Sequence, residues 1–175
     1  MIKQALSTFA MWARLMPGAK AAGQGFWRHQ IETQMFIAAP AQQVWTLLMD
    51  FERYPQWNPF IRHIEGRSER GEKLRVRVQP VGGRVILFEP EVLAVKSSEE
   101  FRWKGRFIVT GLFDGEHYFL LRKEGDHGVV LTHGERFSGL LVPFFRSRLN
   151  SETKSGFESM NEALRQMVMT SVEPQ

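Results

Sequence analysis

Residues 101–137 read FRWKGRFIVTGLFDGEHYFLLRKEGDHGVVLTHGERF, and the alternation in this stretch decides the fold. Successive side chains of an extended strand point to opposite faces of the sheet. Phe101, Trp103 and Phe107 therefore share one face, and Arg102, Lys104 and Arg106 share the other. The same period groups Phe113, His117, Phe119 and Leu121, and separately Leu131, His133, Glu135 and Phe137. The Gly/Asp-rich segment Glu124–Gly128 reads as a turn between two strands, Phe113–Lys123 and Val129–Phe137. A turn centred near Asp126 pairs Lys123 with Val129, which puts Phe119 opposite His133 and His117 opposite Glu135. Directly opposed residues have Cβ atoms about 5 Å apart. A histidine and a carboxylate thus meet on a face otherwise built of Phe and Leu. A slip of one residue would send both to the other face.

Strands continue upstream of this hairpin. Lys73–Gln79 alternates Leu74, Val76 and Val78 with Lys73, Arg75 and Arg77, and Gly82-Gly83 marks the turn after it. Val85–Val95 is a long strand that Pro90 bends or forces to an edge. At the start of the domain, Gln30–Ala38 places Ile31, Thr33, Met35 and Ile37 on one face. Pro40 sits at a first helical turn, with Val44, Trp45 and Leu48 at helical spacing behind it. A second short helical segment, Phe51–Gln56, leads into the loop Trp57-Asn58-Pro59-Phe60. Downstream, residues 143–169 predict one long helix. Its apolar face carries Leu149, Thr153, Gly156, Phe157, Met160, Leu164, Met167 and Val168. The order is strand, two short helices, a run of strands and a long helix. It predicts an α+β fold in which about seven antiparallel strands pack against the last helix.

The chain has 175 residues, enough for one domain with a substantial core. Fourteen Phe and five Trp against two Tyr supply large apolar area, suited to a thick core or an apolar pocket. Cys is absent, so there is neither a disulfide framework nor a thiolate metal site. Residues 1–26 predict an amphipathic helix over 2–16 and a small-residue linker, with the compact domain at 27–175. Gln4, Ser7, Thr8 and Arg14 interrupt the N-terminal apolar run, which argues against a cleaved signal; with no Cys, the expectation is a cytoplasmic protein. The net charge of +4 speaks to partners rather than to fold. Lys73, Arg75, Arg77, Arg102, Lys104 and Arg106 are expected to form one basic outer sheet face. That face is either merely solvated or attracts anionic lipid or acidic protein. No nucleic-acid motif accompanies it, so no specific nucleic-acid partner is expected.

Several short motifs carry a family resemblance. These are Ala39-Pro40 with Val44-Trp45, Tyr54-Pro55 with Trp57-Asn58-Pro59-Phe60-Ile61, and Gly115-x-His117-x-Phe119. Glu135-x-Phe137-x-Gly139-Leu140-Leu141 and Gly156-Phe157-x-x-Met160-Asn161-x-Ala163-Leu164 complete the set. Over about residues 30–168 the chain resembles the START-like, or SRPBCC, helix-grip superfamily, and within it the polyketide cyclase/dehydrase-like family. The resemblance implies a curved sheet wrapped around the C-terminal helix and a deep apolar cavity between them. The superfamily holds carriers, receptors and enzymes alike, so the resemblance names no reaction.

The leading expectation is binding of a hydrophobic small molecule, such as a lipid or an aromatic, polyketide-like metabolite. The expected lining is Trp57, Asn58 and Phe60 of the mouth loop, then Trp103, Phe107, Phe113, His117, Phe119, His133, Glu135 and Phe137 of the sheet. Gly156, Phe157 and Met160 of the last helix complete it. Gly156 either permits close helix packing or leaves room for the ligand. His117 and Glu135 are either a buried polar pair that fixes strand register or the acid/base groups of a cyclase, aromatase or dehydratase. Two histidines and one carboxylate match no metal motif, so neither metal nor cofactor is expected. A third reading is an interaction protein that works through its basic face, with the N-terminal helix available for peripheral membrane contact.

Overall fold

The computed structural model describes residues 25–80, 82–106, 109–125 and 128–171. The anticipated N-terminal helix and linker, and Phe107, lie outside the described residues. Strand β1 spans Arg28–Ile37, followed by helix α1 (Ala41–Met49), a 3₁₀ turn (Phe51–Arg53) and the short helix α2 (Tyr54–Trp57). The strands β2 (Ile61–Glu65), β3 (Arg75–Val78), β4 (Ile86–Phe88) and β5 (Glu91–Lys96) come next. They lead to β6 (Glu100–Arg106), β7 (Asp114–Glu124) and β8 (Gly128–Ser138). The C-terminal helix has three parts: α3 (Val142–Arg148), a π-helical turn (Leu149–Thr153) and α4 (Lys154–Thr170).

The strands are ordered β1-β8-β7-β6-β5 and β2-β3-β4, antiparallel throughout. This is the helix-grip arrangement, with one more strand than the sequence suggested. The stretch expected as one bent strand is divided at Pro90, which has no N–H to continue a ladder. Its carbonyl still accepts from Leu74 N at 2.9 Å, and Lys73 bridges Glu91, so the two sheets stay joined there. The β7–β8 hairpin has the register expected from its turn: Lys123 opposite Val129, Phe119 opposite His133, His117 opposite Glu135.

The last helix lies across β1 and β8 and against α1. Phe157, Met160, Leu164 and Val168 are wholly buried there, along with Val44 and Leu48 of α1. Each such side chain contributes about 1.5–3 kcal/mol through removal from water. At Gly156 the ring of Phe60 lies so close that any Cβ would overlap it. The space left by Gly156 is thus filled by Phe60 rather than by a ligand. Gly156→Ala is expected to destabilise the protein by about 1–2 kcal/mol in urea unfolding, because the clash outweighs the gain in helix propensity. Unchanged or increased stability would show that Phe60 yields freely.

The predicted single basic face is not formed as expected. β3 and β6 belong to different sheets, and carboxylates interleave with the cations. Arg75 approaches Glu65 at 3.3 Å and Glu89 at 3.9 Å, while Arg102 lies 2.8 Å from Glu100 and also pairs with Glu116. Alternation correctly sends Arg75 and Arg102 away from the core but cannot reveal which neighbours neutralise them, and Arg106, expected on the same outer face, borders the cavity instead. Among the described residues no helix is long and apolar enough to cross a membrane.

Candidate functional site

The interior has two unlike halves. Near α4 it is sealed by Phe119, His133, Phe157 and Met160, none more than 1% exposed. Toward the π turn it opens into a cavity of about 320 Å³ between the sheet and the helix. Of the side chains expected to line it, Phe60, Trp103, Phe113, His117, Glu135 and Phe137 do so. Phe119, His133, Phe157 and Met160 belong instead to the sealed half, and Gly156 lies under Phe60.

Trp57 and Asn58 do not reach the cavity either. Trp57 packs edge-on against Tyr54 at 5.0 Å. Asn58 is wholly buried, and its Oδ1 accepts from Phe60 N at 3.0 Å and Ile61 N at 2.9 Å. Asn58 therefore fastens the loop, and the fastened loop delivers Phe60 to the cavity. Sequence reasoning placed Leu149 and Thr153 on the inward helix face without counting them in the lining, and it missed Phe145, Arg148 and Glu152 of the helix as well as Arg106 at the end of β6. Most of the missed helical residues lie in or beside the π turn, where an extra residue shifts the inward face.

His117 stands at the border between the halves. Its ring stacks on Trp103 with centroids 4.5 Å apart and planes 6° from parallel. Its Nδ1 faces Glu135 Oε2 at 3.4 Å, and its Nε2 faces His133 Nε2 at 3.0 Å. Behind it, His133 Nδ1 meets Asn161 Oδ1 at 2.8 Å, and the His133 ring stacks on Phe157 at 3.8 Å. Asn161 Nδ2 donates to Thr33 Oγ1 at 2.9 Å, and Thr33 Oγ1 donates to the His133 carbonyl at 3.1 Å. Five side chains from β1, β7, β8 and α4 thus form one hydrogen-bonded chain from the cavity wall into the core.

Burial sets the protonation of this chain. It holds His117 down at about 3 and pushes Glu135 up to about 8. His133 is also held well below its usual range, first by burial and then by repulsion from His117. At neutral pH both imidazoles and the Glu135 carboxyl are therefore uncharged. Their side chains differ in access: that of His117 is 5% exposed and that of Glu135 19%, so of the two that line the cavity Glu135 is the more open to it.

Residues 28–168 match the family model described as polyketide cyclase / dehydrase and lipid transport. The chain belongs to this family. Members of the wider superfamily have the same fold at low identity. The ZhuI aromatase/cyclase of Streptomyces sp. R1128 superposes with a TM-score of 0.69 at 16% identity, over 83% of this chain and 96% of that one. A START superfamily protein of Mycobacterium smegmatis gives 0.64 at 24% identity, over 82% and 99%. A Thalictrum norcoclaurine synthase point mutant, in complex with a transition-state analogue, gives 0.65 at 15% identity, over 83% and 97%. No curated protein matches the sequence. At these identities the likeness establishes the fold, and the polyketide cyclase/dehydrase family supplies a class of apolar-cavity proteins rather than a reaction.

Proposed function

We propose that the protein binds a hydrophobic small molecule, a lipid or an aromatic metabolite, in the cavity between the sheet and the C-terminal helix. The observation that carries this reading is the cavity itself: about 320 Å³, walled by Phe60, Trp103, Phe113, Phe137 and Phe145 with few polar groups. Small-molecule sites commonly have about 300–1,000 Å³, a mainly apolar wall and a few placed polar groups. A cavity-filling replacement tests it. Val78 lines the cavity, and Val78→Trp is expected to weaken binding of an environment-sensitive apolar dye at least about tenfold, while the wild-type chain binds it. Dye affinity that ignores the filler would sink the reading. Native mass spectrometry of protein purified from its own host is expected to show a defined bound mass.

A second reading rests on the carboxyl at the wall. Glu135 backed by His117 is a general acid/base pair suited to cyclisation or dehydration of a polyketide-like substrate. Glu135→Gln would then lower turnover by about 100-fold or more and leave ligand affinity nearly unchanged. Equal loss of affinity and turnover would assign Glu135 to binding alone.

A further inference from the structure

The chain of hydrogen bonds behind Glu135 has only one self-consistent direction. A carbonyl can only accept, so the single Thr33 hydroxyl proton is committed to the His133 carbonyl. Thr33 Oγ1 must then accept from Asn161, which turns the amide so that Oδ1 faces His133 Nδ1. Oδ1 is an acceptor, so the His133 proton resides on Nδ1 and its Nε2 carries a lone pair. His117 Nε2 must therefore be the donor across the 3.0 Å contact. A neutral His117 then presents a lone pair at Nδ1, and Glu135 Oε2 supplies the proton in that contact. As far as His117 each step follows from the one before it, beginning at a main-chain carbonyl; the last step uses the burial that keeps His117 and Glu135 uncharged.

This order leaves Glu135 Oε1 as the carbonyl oxygen of an uncharged acid. Oε1 stands over Gly115, where any Cβ would collide with it, and both residues line the cavity. Among the described residues no protein group donates to Oε1. Besides His117, the titratable groups lining the cavity are Arg106 on β6, Arg148 on α3 and Glu152 in the π turn; His133 stands behind His117. The Arg148 and Glu152 side chains are 74% and 40% exposed, and they lie 3.9 Å apart. We propose that the cavity selects an uncharged apolar molecule carrying a hydroxyl group, which donates its proton in a hydrogen bond to Glu135 Oε1. The inference rests on the cavity being a binding site and adds the polar feature that the ligand must have.

Three probes with one ring system test it on the full chain near neutral pH: 2-naphthol, its methyl ether and 2-naphthoate. 2-Naphthol is expected to bind about tenfold tighter than the ether, the worth of one net hydrogen bond. Glu135→Leu should abolish that preference while the ether still binds. Glu135→Gln should retain it, because the amide donates to His117 Nδ1 as the acid does and its oxygen accepts as Oε1 does. Gly115→Ala, which displaces Oε1, should erode it. Equal affinity for 2-naphthol and the ether in the wild type, or loss of the preference in Glu135→Gln, overturns the inference. Tighter binding of the naphthoate also overturns it, because Arg106 and Arg148 would then be selecting an anion. Failure of all three probes to bind overturns the apolar cavity itself, which is a different result from binding without preference.

Discussion

Trp103→Ala is expected to lower stability by about 4 kcal/mol, the largest single effect in this fold. Trp103 is 1% exposed and touches both halves of the interior. It stacks on His117, meets Phe101 edge-on at 4.9 Å and leans on Phe119 at 5.7 Å. Truncation removes the transfer energy of a large aromatic ring. The hole it leaves is continuous with the existing cavity, so water enters and the wall does not collapse around it. His117 then loses its stacked face and gains hydration, which relaxes the burial that keeps its imidazole neutral. Urea unfolding gives the stability change, and NMR titration of the His117 ring should show its pKa returning toward the ordinary value. A loss below about 1 kcal/mol would mean that the surrounding aromatics repack.

The second large effect is a stability profile that turns over with pH. Glu135 reverses the usual behaviour of a carboxylate, because its native pKa of about 8 lies above the unfolded value of 4.5. Between these values the native state holds a proton that the unfolded chain has released, so stability falls as pH rises. His117 works in the opposite sense: its native value of about 3 lies below the unfolded 6.5. Between those values the unfolded chain holds the extra proton, so stability rises with pH, and His133 adds to the rise. The two imidazoles outweigh the one carboxyl up to about pH 6.5, and above it Glu135 acts alone until about pH 8. Wild-type stability should therefore peak near pH 6.5 and fall by up to about 2 kcal/mol by pH 8, at about 1.4 kcal/mol per pH unit. Access to cavity water through the 19% exposed Glu135 side chain reduces this figure. Glu135→Gln should remove the alkaline decline and steepen the rise between about pH 4.5 and 6.5, where the carboxyl no longer opposes the imidazoles. A wild-type profile flat between pH 6.5 and 8 would mean that Glu135 is ionised throughout that window.

Both predictions depend on a register that was legible in the sequence. Two long alternating strands around a short Gly/Asp turn admit few pairings, and a one-residue slip from the observed register would turn Phe119, Leu121 and Leu131 outward. The facing of His117 and Glu135 follows from that pairing. His133 and Asn161 were less legible. A polar residue amid the apolar face of α4 carries no periodic signal, so Asn161 emerges as a hydrogen-bonding partner only when helix and sheet are packed together. The role of Asn58 was hidden for a similar reason: an aromatic-rich loop reads as a rim, whereas its side-chain oxygen holds two main-chain donors. The break at Pro90 was visible as a bend, though not as two strands serving two sheets.

The π-helical turn at Leu149–Thr153 carries a consequence for how such a protein diversifies. Each helical residue turns the chain by about 100°, so one residue more or less in that turn rotates everything on its N-terminal side against α4. Deleting a single codon there would restore a regular helix while Phe157, Met160, Leu164 and Val168 keep their places in the core. Arg148 and Phe145 would swing away from the cavity, and their neighbours in sequence would replace them at its wall. Ligand preference in this fold is thus open to frameshift-free indels as much as to substitution, and the anchoring half of the helix is insulated from the change.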